Sequence, residues 1–300
     1  MHEHSHHHDP ATAQHPAFDT PEVAAFAELE GEVLLGFVVQ AASTLAKLCH
    51  RHSVEVRRVL DIGCGPGVAS CCLAQRFGAA SVLAVDGSAA MLERAAARAE
   101  RSGLGQRVET RLVELPTGLE TLGRANVAWA SMVIHHVGDE AAALRQIRRL
   151  LEPDGLLAVL EWADPMRVLP EEADLGRPGI WERLDAAWAA WFADMRASLP
   201  GATISAGYPE MLEQAGFELL EDELLTLALG PPLDDPARRF AHQHLVRARE
   251  VLAPYADAAD VDALHVLIDE DSDRSITRRD DVELRASRHL YVGRPVASVS

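Results

Sequence analysis

Three glycines at alternate positions, Gly63, Gly65 and Gly67, close the run Val59-Leu-Asp-Ile-Gly-Cys-Gly-Pro-Gly67. Residues without a Cβ allow a tight turn and let a backbone lie directly against a ligand. Nineteen residues beyond Gly67 stands Asp86, at a spacing where one carboxylate can accept hydrogen bonds from both hydroxyls of a ribose. Together they read as one nucleoside site, with the turn for the tail and Asp86 for the sugar. A dinucleotide fingerprint, G-x-G-x-x-G, would need glycine where Val68 stands, and Pro66 lacks an N–H that a pyrophosphate cradle would use. The loop therefore suits a ligand without a diphosphate. A second set of groups follows: His135 and His136, then Glu161 and Asp164. An imidazole with a pKa near neutrality is a ready general base. Adjacent residues leaving a strand point opposite ways, so at most one of the two histidines faces a pocket. Both are candidate catalytic residues, although a shared structural role for the pair carries more weight.

The elements that must position these groups alternate. Val56–Ile62 is a short β-type run, and Val68–Phe77 reads as a helix. Ser81–Asp86 is a second buried strand, and Ser88 can N-cap an Ala-rich helix over Ala89–Arg101 that Gly103 ends. Strands at Arg107–Val113, Ala125–Ser131 and Leu156–Glu161 follow, with a helix at Asp139–Leu151. Such alternation predicts a parallel sheet covered on both faces. Upstream, Thr20 and Pro21 open an apolar periodic segment to about His50, broken near Gly31 or Gly36. Downstream, helices at Ile180–Leu199, Tyr208–Ala215, Pro236–Leu252 and Asp260–Asp269 interrupt strands at Phe217–Leu229 and His289–Val292. The fold expected is α/β: a doubly wound, mostly parallel seven-stranded Rossmann-like sheet with helical cap insertions. Its parts are a disordered His-rich tail over 1–19, an N-terminal helical segment over 20–52, and one domain over 53–300. Insertions at about 165–215 and 231–284 form a cap over the carboxyl edge.

Composition excludes several classes. The 300 residues carry 28 basic and 46 acidic side chains, a net charge of −18, which repels nucleic acid. Apolar runs such as Val33–Val39 are too short to span a bilayer, and the N-terminus lacks the basic-then-apolar order of a signal peptide. The cysteines, Cys49, Cys64, Cys71 and Cys72, show neither a disulfide framework nor metal spacing. The acidic stretch Asp257–Asp273 has no glycine placed for a Ca²⁺ loop and reads as a solvated face. No metal site is expected, and the chain reads as soluble and cytoplasmic, without nucleic-acid or membrane partners. Trp181, Leu184, Trp188, Trp191, Phe192 and Met195 recur at helical spacing. Core packing is the plain reading of that stripe, and an aromatic wall over an acceptor pocket is the sharper one.

Val59–Gly67, Ala84-Val-Asp-Gly-Ser88 and Trp129-Ala-Ser-Met-Val-Ile-His-His136 together resemble class I S-adenosylmethionine-dependent methyltransferases of the small-molecule type, and Leu150-Leu-Glu-Pro-Asp-Gly-Leu-Leu157 extends the likeness. The resemblance covers about Val56 to Trp162, and Ser287–Gly293 is similar to the family's final antiparallel strand. It implies S-adenosylmethionine as cofactor and a small-molecule methyl acceptor. Asp61, Gly63, Cys64, Gly65 and Gly67 would line the methionine end, and Asp86 would hold the ribose with Gly87 beside it. Ser131 would lie where cofactor meets acceptor. Glu114 is the nearest acid to the family's adenine-binding Asp, which this chain lacks, and Asn126 replaces another family Asp of structural role. Two alternatives stay open: an S-adenosylmethionine-binding protein without methyl transfer, and a nicotinamide-dependent oxidoreductase. The acceptor atom is not legible, and a homodimer remains open.

Overall fold

The computed structural model describes residues 19–173, 175–203 and 206–296. The tail expected to be disordered lies outside them, apart from Asp19. Two helices open the chain, α1 (Pro21–Val33) and α2 (Leu35–Arg51). The expected break falls at Leu34, between the two glycines that suggested it. Thr20 Oγ1 caps α1 by accepting the Val23 N–H, with Pro21 at the first helical position. α2 buries Phe37, Val38, Ala41, Leu45 and Leu48 along one stripe. Among the described residues no single helix is long and apolar enough to cross a membrane; α1 and α2 reach that length only together, across a 62° bend.

The sheet follows: β1 (Arg58–Ile62), α3 (Val68–Arg76), β2 (Ser81–Asp86), α4 (Ala89–Arg101), β3 (Val108–Leu112), β4 (Ala125–Ser131), α5 (Glu140–Arg149) and β5 (Leu151–Trp162). After β5 come α6 (Ile180–Ser198), α7 (Tyr208–Gln214), β6 (Phe217–Leu229), α8 (Asp235–Leu252), α9 (Ala258–Ile268) and β7 (Leu284–Pro295). Strand order is β3-β2-β1-β4-β5-β7-β6. The first five strands run parallel, and β7 lies antiparallel to both β5 and β6. The order reverses between β1 and β4, which opens a crevice at the carboxyl ends of those strands. Both faces of the sheet are apolar, as two-sided burial requires: Leu60, Ile62 and Val85 on one side, Val59, Val82 and Ala84 on the other. Asn126 is structural, its Oδ1 accepting the N–H groups of Arg57 and Arg58 at 2.9 and 3.1 Å.

Three stretches depart from expectation. β5 begins at Leu151 rather than Leu156, because Leu151 pairs with Ala125 ahead of a register shift in β4. β7 is twelve residues long, because its polar residues (Arg285, Ser287, Arg288) lie on a strand flanked on both edges, where pairing rather than apolar content fixes the extended state. The acidic stretch is not simply a solvated face. Asp260 is fully buried, and its carboxylate is held by Arg183 at 2.6 and 2.8 Å and by Arg177 at 3.3 Å. The partners come from α6 and the loop before it, so the burial is not written in the stretch itself.

Candidate functional site

At the switch point the three glycines divide their work. A Cβ on Gly63 (φ +67°) would sit 2.2 Å from Val133 Cγ2, and one on Gly67 (φ +77°) 2.7 Å from Ala95 Cβ. These two are glycine because the turn packs against β4's exit and against α4. Gly65 (φ +52°) differs: nothing lies within 4 Å of a Cβ built there. Its open face is the cradle that a ligand would fill. Cys64 turns its side chain inward, and its N–H donates to Val85 O at 2.9 Å, tying the turn to β2.

Asp86, half-buried at the end of β2, accepts the Gly65 N–H on Oδ2 and the Ser88 N–H on Oδ1, both at 2.9 Å. Burial pushes its carboxyl above the usual range, while the N–H groups of Ser88, Gly65 and Gly87 oppose that rise. Each oxygen keeps a lone pair for a further donor. Gly87 is exposed beside Glu114: a Cβ there would lie 3.6 Å from Glu114 Oε2, so both residues edge the same crevice. Ser131 is half-buried where β4 ends. α1 closes the far side. Asp19 accepts from Ser88 Oγ at 2.6 Å, Glu28 pairs with Arg94 and Arg98, and Gly31 sits against Val68.

Asp61 lies beneath the turn, 1% exposed, and accepts from Ser70 Oγ at 2.5 Å. Burial pushes its carboxyl up to about 7, against the Ser70 hydrogen bond and aided by repulsion from Asp86. A carboxyl raised in the native state is most favourable when protonated. Its contribution is fully present below the unfolded value and is lost as pH rises towards about 7. The stability of the wild type relative to Asp61→Asn is therefore expected to fall between about pH 4 and about pH 7 and to level off above that. Urea titrations at both ends check this; an unchanged difference contradicts the buried acid.

A cavity of about 1150 Å³, large for a small-molecule site, is lined by His135, Glu161 and residues of α6 but by none of the glycine turn, Asp86, Gly87, Glu114 or Ser131. Val133, which packs on Gly63 and donates its N–H to Glu161, links the two regions. Only one of the paired histidines lines the cavity. His135 is 4% exposed and part of the cavity wall, whereas His136 is exposed elsewhere. The His135 Nδ1 stands 2.5 Å from Glu161 Oε2. Glu161 Oε1 accepts the N–H groups of Val133 and Ile134 at 3.2 and 3.0 Å. With a carboxylate at Nδ1, the neutral ring holds its proton there and offers Nε2 as a base. Sequence reasoning named both residues but not their pairing, which needs β4 beside β5. Arg196 of α6 fixes the same loop, donating to the carbonyls of His135, Val137 and Gly138 at 2.9, 2.5 and 3.1 Å. Asp164, the remaining candidate base, accepts from Ser287 Oγ at 2.6 Å.

The tryptophan stripe splits between its two readings. Trp181 and Leu184 are core, while Trp188, Trp191 and Phe192 line the cavity. Their rings continue onto Trp162 and His135: Trp188–Trp191 at 5.3 Å, Trp191–Trp162 at 6.4 Å, and Trp162 stacked on His135 at 5.1 Å.

Residues 59–155, about a third of the chain, match the methyltransferase domain family. Trans-aconitate 2-methyltransferase of Methylobacterium radiotolerans is 35% identical over 46% of this chain and 55% of its own length. Methyltransferase GfsG of Streptomyces halstedii is 30% identical over 55% of this chain and 54% of its own. The chain thus spans about half the length of these curated relatives. In fold it is similar to a crystal structure of a candidate methyltransferase from Bacillus halodurans, with a TM-score of 0.51, 20% identity, and coverage of 85% of this chain and 100% of that one.

Proposed function

From the premise that residues 59–155 are a class I methyltransferase domain, we propose that the chain transfers a methyl group from S-adenosylmethionine to a small organic molecule. One observation carries the reading. An open-faced glycine turn tied to the Asp86 carboxylate lies, through Gly63 and Val133, next to the loop of the His135–Glu161 pair that lines a cavity. The residues present fit the cofactor: Gly65 leaves room where a nucleoside tail would lie, and Asp86 keeps acceptor capacity for two hydroxyls. Gly87 and Glu114 edge the base, Ser131 stands toward the acceptor, and Asp61 braces the turn from beneath through Ser70. When bound, the cofactor supplies a methyl made electrophilic by its sulfonium.

What remains for the protein is positioning, water exclusion and proton removal. The aromatic wall and the α6 cap exclude water from the cavity. His135 Nε2 accepts the proton of the acceptor's nucleophilic group, and the Glu161 carboxylate stabilises the imidazolium that results. Arg196 keeps the histidine loop in register with the cap. A net charge of −18 supports a small acceptor over nucleic acid, and we place the enzyme in the cytoplasm.

Calorimetric titration with S-adenosylmethionine and, separately, NADH tests the reading. Binding of the first alone is expected, and binding of NADH alone would turn the choice to an oxidoreductase. Asp86→Ala is expected to weaken the affinity by about 1.5–3 kcal/mol, the worth of hydrogen bonds to a charged group. Unchanged affinity removes the ribose assignment. Release of S-adenosylhomocysteine with a methylated product separates catalysis from binding alone.

A further inference from the structure

Resting on the methyl-transfer reading above, the geometry points to the acceptor class: we propose that the cavity takes a flat hydroxy-aromatic molecule carrying a carboxylate, with the carboxylate bound by Arg288. The flat body follows from the ring chain that runs from Trp188 through Trp191 and Trp162 to His135. A wall of stacked and edge-on rings offers most of its contact energy to another π-face.

The sign of the ligand's charge follows from which cavity groups already have partners. Asp185 is held by both terminal nitrogens of Arg167, at 2.8 and 2.5 Å. Glu161 is engaged by His135 and two backbone N–H groups. Glu140 pairs with Arg196 at 3.1 Å and Asp164 accepts from Ser287 Oγ, so four of the five carboxylates that line the cavity are engaged and the fifth, Glu30, faces Arg288. Arg288 is the opposite case. It lines the cavity, is 8% exposed, and packs its guanidinium 5.1 Å from the Phe37 ring. A guanidinium carries five N–H donors, yet among the described residues its one ion pair is with Glu30, at 3.4 Å, and Glu161 attracts it only across a longer distance. A buried cation so sparsely bonded is a site for an anion.

Position completes the argument. Arg288 on β7 is the direct antiparallel partner of Trp162 on β5, and directly opposed residues put their side chains on one face, with Cβ atoms about 5 Å apart. Trp162 in turn stacks on His135. The anion site, the flat wall and the base therefore lie in one row, so a hydroxy group at His135 and a carboxylate at Arg288 fit one rigid planar molecule.

The test compares 3-hydroxy-2-naphthoate with 2-naphthol, which lacks only the carboxylate, by quenching of tryptophan fluorescence at saturating S-adenosylhomocysteine. The wild-type protein is expected to bind the naphthoate roughly tenfold or more tightly than the naphthol. Arg288→Gln is expected to bring the two affinities together. Trp191→Ala is expected to weaken both roughly fivefold. Equal wild-type affinities, or quenching by neither probe, overturn the proposal without recourse to any variant. A preference that survives in folded Arg288→Gln also overturns it. Calorimetry with S-adenosylmethionine alone keeps the outcomes apart: no binding there removes the methyl-transfer reading, and binding there without naphthoate preference removes only the acceptor class.

Discussion

Replacing His135 by alanine is expected to lower kcat by about 10²- to 10⁴-fold, the usual contribution of a positioned general base. Affinity for S-adenosylmethionine should stay close to wild type. The imidazole is held by Glu161 at Nδ1, which leaves Nε2 as its free basic nitrogen. The other cavity histidine, His244, has no such carboxylate partner among the described residues and stacks on Trp188. Asp164 is engaged by Ser287, and Glu161 is filled by three donors. On the proposed reading, a His135→Ala protein would still bind cofactor and acceptor but would have to lose the acceptor proton to water. Single-turnover release of S-adenosylhomocysteine with 3-hydroxy-2-naphthoate as acceptor measures the step. His136→Ala, an exposed position outside the cavity wall, provides the contrast and should retain near-normal turnover. Equal losses in the two variants, or normal turnover in His135→Ala, would remove the base assignment.

Gly65→Val is expected to give a folded protein whose affinity for S-adenosylmethionine falls on the order of a hundredfold. No atom stands within 4 Å of the new Cβ, so packing tolerates it. The left-handed backbone there costs a β-branched residue about 1–2 kcal/mol. Open space for the protein is the space the ligand needs. On the proposed ribose assignment a valine there would displace the nucleoside from Asp86, and two hydrogen bonds of about 1.5 kcal/mol each suffice for the predicted loss. The neighbours behave differently. A side chain at Gly63 or Gly67 meets Val133 or Ala95 inside van der Waals contact, so valine there should compromise folding before binding. Thermal unfolding alongside calorimetry separates the two cases. A Gly65→Val protein that keeps wild-type affinity would show that the turn faces something other than the ligand.

The parallel half of the sheet was legible because each element carries its own signals. Ser88 caps α4 as its spacing to the Ala-rich run implies, accepting the Met91 N–H, and β4 runs from Ala125 to Ser131 as its apolar content requires. The glycine turn and Asp86 were legible for a related reason: the turn geometry and the strand end that place them are local. The division of labour among the glycines was not, since Val133 and Ala95 approach from 70 and 28 residues away in sequence. The side-chain pairing in the cavity was hidden more deeply. His135 meets Glu161 only because β5 lies beside β4, and Arg288 enters the cavity only because the last strand inserts beside β5. Asp260 shows the same limit: an acid among acids is buried because Arg183 of α6 and Arg177 of the loop before it cover it.

On the proposed reading, the crevice at the carboxyl ends of β1 and β4 holds a sulfonium nucleoside whose ribose is clasped by Asp86 at the end of β2. Crystals grown with S-adenosylhomocysteine test this most directly. The account predicts electron density over Gly65, with both ribose hydroxyls within hydrogen-bond distance of Asp86. Density elsewhere, or a crevice filled by the protein's own side chains while the ligand stays in solution, would contradict it.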